Sequence, residues 1–181
     1  YYNVFYQKSE DFVLNWDDEI QVSTIDSETS IGARITSSGD NIYVSWEQYD
    51  SDASIYKAEF SYSSNGGESF GTPETLSSTN SVSEISLTSE DNNLVVAWIE
   101  SNDNGESIVK ARHSANAGNS FSAENIVGNA DGSTILFVES TNDGSSNFFI
   151  SWLRIGNEQP RKVECARSAN SGSTWNAAVN V

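Results

Sequence analysis

Methionine is absent from this sequence of 181 residues, and cysteine occurs only once. A single cysteine excludes an intrachain disulfide. Because natural reading frames begin with methionine and this chain begins at Tyr1, we expect a processed chain or part of a longer polypeptide. No apolar run reaches the roughly 18 residues that a membrane-spanning helix needs, so the sequence predicts no such helix.

Thiol and imidazole groups are scarce. Cys165, flanked by Val163 and Ala166, is expected to be a small buried apolar residue. A cysteine nucleophile needs an adjacent base, and nothing in the sequence places the single histidine, His113, beside it. Zinc-ligand spacings, glycine-rich phosphate loops and Asn-x-Ser/Thr glycosylation sites are all missing. The sequence therefore predicts no cofactor and no metal site.

Positive charge is scarce as well. Nine Lys and Arg residues stand against 26 Asp and Glu residues, which gives a formal net charge of −17. Such a surface repels phosphate backbones and anionic lipids, so we expect neither nucleic acid nor membrane insertion. The plainest role for the acidic surface is solubility, with weak cation binding by acidic loops as the alternative.

A turn of eight residues recurs along the chain. Four octets share the pattern Ser-x-Asp/Asn-x-Gly-x-x-Trp/Phe, and their first serines are 54, 51 and 54 residues apart. Val13 replaces the glycine in the first octet. A period of this length predicts a repeat architecture. The residues that fit the pattern are Ser9, Asp11 and Trp16; Ser63, Asn65, Gly67 and Phe70; Ser114, Asn116, Gly118 and Phe121; and Ser168, Asn170, Gly172 and Trp175.

Strand patterns surround each octet. Alternating apolar and polar residues precede it, as in a half-buried strand. Further upstream, continuous apolar runs superimpose without gaps and predict strands that are covered on both faces. These runs are Ile42–Trp46, Leu94–Trp98 and Phe148–Trp152. Another strand precedes each run across a polar turn, at Ile31–Thr36, Val82–Thr88 and Ser133–Glu139.

Four antiparallel strands per repeat predict an all-β fold built of β-propeller blades. The predicted blades are residues 25–78, 79–128 and 129–181, and residues 1–24 supply a half-blade, with strands near Asn3–Lys8 and Glu19–Ser23. Closed propellers have about 4 to 8 blades. We therefore expect residues 1–181 to form one propeller domain or a propeller fragment, whose partners are protein segments or subunits that complete the ring.

Every position of the octet has a structural explanation. The Asp or Asn side-chain oxygen caps the N–H groups ahead of it, the glycine supplies a positive φ, and the serine hydroxyl adds a local hydrogen bond. The aromatic residue is expected to pack back against its own blade, where burial contributes ~2–3 kcal/mol. None of these roles requires a ligand.

The octets and their flanking strands resemble the Asp-box, or bacterial neuraminidase repeat, of sialidase-like β-propellers. The resemblance covers nearly the whole chain. It implies a propeller fold and a secreted or cell-surface protein. It does not imply one activity, because a fold of this kind carries many functions.

Active sialidases of that family bind the substrate carboxylate with three arginines, and use an Asp acid/base and a Tyr nucleophile paired with Glu. Of five arginines here, only Arg34 falls on a predicted innermost strand, and the family's Arg-Ile-Pro motif reads Arg34-Ile35-Thr36. Ser86 and Phe137 are the residues predicted at the matching places. Arg154 follows a predicted second strand, and the arginines on or beside predicted third strands are Arg112, Arg161 and Arg167.

Glu47 and Tyr49 follow Trp46 and are candidates for the Tyr/Glu pair, with ordinary strand-end residues as the alternative. Acidic turns at Asp50–Asp52, Asn102–Glu106 and Asn142–Gly144 resemble fragments of calcium loops. They lack the full ligand set, and hairpin turns explain them better.

Three functions follow as hypotheses. The preferred one is a non-catalytic extracellular or cell-surface propeller module that acts in binding or assembly. The alternatives are a sialidase-type glycoside hydrolase and a lectin-like propeller that binds carbohydrate through aromatic residues near its axis.

Overall fold

The computed structural model describes residues 1–11, 14–24, 28–78, 80–101, 104–129, 131–156 and 161–181. This part of the chain consists of strands and turns and includes no helix long and apolar enough to cross a bilayer. The strands are β1 (Phe5–Tyr6), β2 (Ile20–Gln21), β3 (Ser30–Ser38), β4 (Asn41–Asp50), β5 (Ile55–Ser63), β6 (Glu74–Thr75), β7 (Val82–Glu90), β8 (Asn93–Ser101), β9 (Ser107–Ser114), β10 (Asn125–Asn129), β11 (Thr134–Asn142), β12 (Phe148–Ile155), β13 (Lys162–Ser168) and β14 (Val179–Asn180).

These strands form three four-stranded antiparallel sheets and one two-stranded sheet. Blade I has the strand order β3-β4-β5-β6, blade II β7-β8-β9-β10 and blade III β11-β12-β13-β14, while β1 and β2 pair as a half-blade. The predicted fold class is confirmed: the chain is all-β and consists of about three and a half propeller blades.

The half-blade packs on the near face of blade I. Val4 and Val22, which flank its paired strands, form a buried cluster with Val44 and Trp46 of β4. The backbone of Ser30, at the start of β3, also donates a hydrogen bond to the Tyr2 carbonyl at 2.8 Å. The two outer strands therefore extend the stack of blades by half a blade.

The second strand of each blade was predicted to be covered on both faces. In blade II the prediction is right, because every residue from Leu94 to Glu100 is buried. Blade III differs: burial alternates along β12, and Phe149 and Leu153 are only half-buried. The physical reason is that blade II covers one face of β12, whereas the opposite face has no blade against it in this chain.

Each blade buries one tryptophan of its second strand against the preceding blade. Trp46, Trp98 and Trp152 are 1%, 0% and 1% exposed, respectively. Trp98 belongs to a cluster that includes Tyr43 and Phe60 of blade I, and Trp152 to a cluster that mixes residues of blades II and III. The three tryptophans therefore occupy equivalent buried positions, as the superimposed apolar runs predict.

The prediction for Cys165 was wrong. Its side chain is half-buried on the uncovered face of blade III, next to Val163, which is 47% exposed. Its equivalents in the repeats, Phe60 and Ala111, are 2% and 1% exposed because the following blade covers them. The partial burial that remains raises the pKa of the Cys165 thiol.

Candidate functional site

The innermost strands β3, β7 and β11 lie side by side. Thr36 Oγ1 is 3.2 Å from Ser89 Oγ across blades I and II, and Ser86 Oγ is 2.8 Å from Ser140 Oγ across blades II and III. Innermost strands line the central channel of a propeller. Side chains on these strands therefore form the candidate functional site.

Each innermost strand bulges at the same place in the repeat. The strand register shifts there in all three blades, and the bulge residues Gly32, Glu84 and Phe137 have φ values of 64°, 51° and 58°. A left-handed backbone costs a non-glycine residue on the order of 1–3 kcal/mol. Glu84 and Phe137 must therefore be held in place by their surroundings.

Carboxylates of the preceding blade hold these two residues. The Glu84 N–H donates to Glu47 Oε1 at 3.1 Å, and the Phe137 N–H donates to the Glu84 carboxylate. Burial raises the pKa of Glu47, and the hydrogen bond from Glu84 together with the charge of Arg34 offsets part of the rise. Glu47 thus ties the second strand of blade I to the innermost strand of blade II, and Glu84 ties the innermost strands of blades II and III together.

Arg34 is exposed on β3. Its Nη1 donates to the carbonyls of Gly32 and Ala33 in its own strand, at 3.4 and 3.3 Å. The register places it opposite Ser45, so Glu47 lies two residues further along the neighbouring strand. The structure therefore brings Arg34 and Glu47 into one region of the candidate site.

The predicted equivalents of Arg34 need a correction. Ser86 pairs with Ala97 as expected, but the residue that occupies the place in β11 is Glu139, opposite Ser151, rather than Phe137. The turn between β11 and β12 is longer than those of the other two blades, which shifts β11 relative to a simple repeat count.

Tyr49 lies away from Arg34 along the strand. It lies four residues beyond Ser45, about 13 Å along the strand. Its ring packs against Tyr56, with 5.3 Å between centroids. Tyr49 thus packs near the turn end of the β4–β5 hairpin, four residues along the strand from the residue opposite Arg34.

The sequence prediction missed two channel-side residues, Glu84 and Glu139, and assigned Phe137 to the place that Glu139 occupies. Phe137 is 64% exposed although it lies on an innermost strand. Alternating polarity does not reveal a bulge. A glycine within a strand does suggest one, and an alignment anchored on Gly32 would have found Glu84 and Phe137.

Of the four remaining arginines, Arg154 lies on the second strand β12, and the others lie on or beside third strands. Arg112 and Arg154 form ion pairs, at 3.8 and 3.3 Å, and Arg167 donates to an amide oxygen at 2.6 Å. Arg161 is exposed just before β13. The partners are Glu124 for Arg112, Glu164 for Arg154 and Asn147 for Arg167.

The octets form equivalent turns between the third and fourth strands. In blade II, Asn116 Oδ1 accepts from Ser114 Oγ at 2.8 Å and from the Ser120 N–H at 3.0 Å, and the Gly118 N–H donates to Ser114 Oγ at 2.9 Å. The same bonds recur at 2.7–3.1 Å in blades I and III. In the half-blade, Asp11 takes the place of the asparagine, while Val13 lies outside the described residues.

Two octet aromatics, Phe70 and Phe121, pack on clusters that combine residues of their own blade, as the sequence predicted, with residues of the preceding blade. The Phe121 ring lies 4.9 Å from Phe60 of blade I, and the Phe70 ring lies 5.1 Å from Tyr6 of the half-blade. A Cβ on Gly118, where φ is 82°, would approach Phe60 to 2.9 Å. Glycine is therefore required for the turn and also for the close approach of two blades.

The acidic turns bind their own backbone. Asp50 Oδ1 accepts from the N–H groups of Asp52 and Ala53 at 3.0 Å, and Asp143 Oδ1 accepts from the Ser145 N–H at 2.9 Å. Asn102 and Asp103, in the third such turn, lie outside the described residues. Among the residues that are described, no three His, Cys, Asp or Glu side chains are arranged to hold a metal ion.

We expect Asn116→Ala to lower the free energy of urea unfolding by about 1 kcal/mol, because Asn116 Oδ1 accepts two hydrogen bonds in its turn. Asn116→Asp is the matched control and should be near neutral, since Asp11 fills this place in the first octet. Calcium should leave the melting temperature unchanged. A calcium-dependent rise that disappears in Asn116→Ala would contradict the turn-only role.

Comparisons with known proteins agree with the architecture. No family model and no curated sequence matches this chain. Among solved structures, the chain is similar to a Hadza microbial sialidase, Hz136 (TM-score 0.68, 12% identity, 97% of this chain), and to a Trypanosoma rangeli sialidase mutant (0.59, 12%, 97%). It is also similar to a PL25 polysaccharide lyase, an ulvan lyase (0.61, 11%, 91%). The chain spans 40%, 33% and 45% of their respective lengths, and at these identities the likeness shows the fold.

Proposed function

We propose that this chain belongs to a secreted or cell-surface β-propeller of the Asp-box type, and that it acts without catalysis in binding or assembly. The three equivalent octet turns and the fourth, Asp-containing one support the Asp-box assignment. We divide residues 1–181 into a half-blade, 1–24, and blades 25–78, 79–128 and 129–181.

The placement of the arginines carries the non-catalytic proposal. A sialic acid carboxylate is best held by converging guanidinium groups that bind in a bidentate manner. Of the five arginines, Arg34 is the one on an innermost strand, and its guanidinium bonds to carbonyls of that strand. Tyr49, the candidate nucleophile, packs on Tyr56 and lies four residues along β4 from the residue opposite Arg34. These observations favour binding or assembly over hydrolysis.

Carbohydrate binding without hydrolysis is the second candidate, and the exposed ring of Phe137 favours it. Sugar rings pack their apolar faces on aromatic side chains. The carboxylate of Glu139, exposed on the same strand, can accept hydrogen bonds from hydroxyl groups. A net charge of −17 disfavours acidic sugars, so the ligand in this case is a neutral glycan.

Turnover of a fluorogenic sialoside separates binding from hydrolysis. We expect the wild-type chain to hydrolyse the sialoside no faster than the Arg34→Ala variant does. Arg161→Ala is the matched control, because Arg161 is an exposed arginine away from the channel. Clear turnover that Arg34→Ala abolishes and Arg161→Ala retains would overturn the proposal. A glycan array run in parallel tests the second candidate, which requires retention of neutral glycans that Phe137→Ala removes.

A further inference from the structure

The residue before each octet contacts the octet of the next blade. Tyr62, which precedes the blade I octet, donates to Asn119 Oδ1 in the blade II octet at 2.6 Å. Lys8 Nζ, at the same place in the half-blade, lies 3.9 Å from Glu68 Oε1 in the blade I octet. Asn119 and Glu68 both occupy the sixth place of their octets. The repeat therefore has a recurring contact between these two places of successive blades.

His113 occupies the first of these places in blade II, and Ser173 is the sixth residue of the blade III octet. His113 belongs to β9 and pairs with Val95 of β8. A Cβ on Gly172, the residue before Ser173, would lie 3.1 Å from His113 Cβ and 3.9 Å from its Cγ. The base of the His113 side chain therefore lies against the octet of blade III, in a contact that this chain forms entirely by itself.

One ring nitrogen of His113 is buried without a partner. Among the described residues, none forms a hydrogen bond with the buried Nδ1. A neutral imidazole can place its acceptor nitrogen there, whereas in the protonated ring both nitrogens are donors and the ring carries a charge. Burial of a charge without a partner costs far more than burial of a neutral group. The site therefore accommodates the neutral ring better than the protonated one.

In the described part of the chain, the elements around His113 offer it no counter-charge. The blade II octet, residues 114–121, and the blade III octet, residues 168–175, contain no charged residue. Burial accordingly lowers the pKa of His113. The charged side chains of the surrounding strands and turns have other partners: Arg112 with Glu124, Lys110 with Glu100 and Glu124, Glu90 with the Ser146 N–H, Glu164 with Arg154, Arg167 with Asn147, and Asp143 with the Ser145 N–H, while Asp91 lines a groove shared with blade I.

We propose that His113 makes the contact between blades II and III sensitive to acid. Protonation of its ring places a positive charge between two octets that hold no carboxylate, and this weakens the packing of blade III on blade II. The same place elsewhere in the repeat holds the phenol of Tyr62 or the amine of Lys8, which has a carboxylate opposite it. Only histidine changes its charge between about pH 5 and 8 without a large shift of its pKa.

The direction of the pH effect follows from the missing counter-charge. The folded chain binds the proton of His113 more weakly than the unfolded chain does. The stabilisation is therefore complete above the ordinary histidine pKa of about 6.5 and is lost as pH falls through the lowered pKa of His113. Burial raises the pKa of Glu47 and of Glu59, so these two groups act in the opposite direction on acidification. A variant without the histidine is therefore the necessary reference.

The single histidine can be titrated on its own. Proton NMR of the wild-type chain follows its ring Cε1–H resonance, and we expect a midpoint, the pKa in the folded state, below about 6.5. In urea unfolding, His113→Gln is the reference, because glutamine is polar and does not titrate. From about pH 8 to about pH 5, the unfolding constant of the wild type should rise relative to that of the variant, by about tenfold for each pH unit between the ordinary midpoint and the measured one. A midpoint at or above about 6.5, or a ratio that is independent of pH, would overturn the proposal.

Ser173→Glu tests whether the ring lies against blade III. Ser173 is exposed, and the substitution gives blade III the carboxylate that blade I presents to Lys8. We expect the His113 midpoint to rise above about 6.5 and the acid-dependent loss of stability to change sign. Asn119→Glu is the matched control, because it puts a carboxylate at the same octet place opposite Tyr62 and should leave the His113 midpoint nearly unchanged. If neither substitution moves the midpoint, or both move it equally, the assignment of His113 to this contact is wrong.

Discussion

Trp98→Ala should lower the free energy of unfolding by about 3–5 kcal/mol. Trp98 is fully buried at the contact of blades I and II, in a cluster with Tyr43, Phe60 and Leu94. Its indole N–H also donates to Glu100 Oε2 at 3.1 Å. The substitution therefore leaves a large cavity between two sheets and removes one hydrogen bond from a buried carboxylate. Urea unfolding followed by far-ultraviolet circular dichroism measures the loss.

Trp16→Ala is the matched control for that measurement. Trp16 is 57% exposed, so at a concentration where the chain is monomeric its removal should change the unfolding free energy by less than about 1 kcal/mol. A loss below about 1 kcal/mol for Trp98→Ala would mean that blades I and II do not pack through the second strand.

The sequence was sufficient to predict the blades because each strand type has its own pattern. The apolar runs that end in Trp46, Trp98 and Trp152 coincide with the second strands, and the four octets coincide with the turns before the fourth strands. Both patterns depend on local rules, namely burial of alternate or successive residues and the turn chemistry of Asn and Gly. Such rules act over a few residues and can therefore be recognised in a single sequence.

Contacts between blades could not be predicted in the same way. The packing of Phe121 on Phe60 and the binding of the Glu84 N–H by Glu47 join residues that are dozens of positions apart. The bulge that exposes Phe137 depends on the local strand register, which alternating polarity does not show. The candidate site is built from such contacts, so most of it became visible only in the structure.

The buried tryptophans show how one repeat position tolerates different neighbours. The indole N–H of Trp46 donates to Gln48, that of Trp98 to Glu100, and that of Trp152 to Glu164. Gln48 and Glu100 lie two residues after their tryptophan. In blade III that place holds Arg154, and Glu164, the cross-strand neighbour of Trp152, supplies the acceptor instead. In blade II the acidic residue, Glu100, is on the second strand and the basic residue, Lys110, is on the third. In blade III the order is reversed, with Arg154 on the second strand and Glu164 on the third, and the indole N–H still has an acceptor.

The pair in blade II gives the second large prediction. Glu100 is 0% exposed, and Lys110 Nζ lies 2.6 Å from Glu100 Oε1 and 2.9 Å from Glu124 Oε2. Lys110→Ala should cost about 3–5 kcal/mol in urea unfolding, because it leaves a buried carboxylate without its cation. Burial by itself lowers the pKa of Lys110, but the hydrogen bonds to the two glutamates outweigh it and the pKa is raised. The stabilisation by the Lys110 charge is therefore fully present below the ordinary lysine pKa and is lost as pH rises through the raised pKa of Lys110. The loss of unfolding free energy caused by Lys110→Ala should accordingly stay constant from neutral pH to about pH 10.

Glu100→Gln/Lys110→Ala distinguishes a buried charge from lost packing. Blade I already carries Gln48 at this place, and Gln48 Oε1 accepts the Trp46 indole N–H at 3.2 Å without a lysine partner. A glutamine at position 100 can accept the Trp98 N–H in the same way and leaves no buried charge at that position, while Glu124 keeps Arg112 at 3.8 Å. The double variant should therefore recover at least about half of the stability that Lys110→Ala loses, since exchanging a buried ion pair for neutral groups is often close to neutral. If the double variant is as unstable as Lys110→Ala alone, the loss comes from the packing of the lysine stem, and the electrostatic explanation of this pair is wrong.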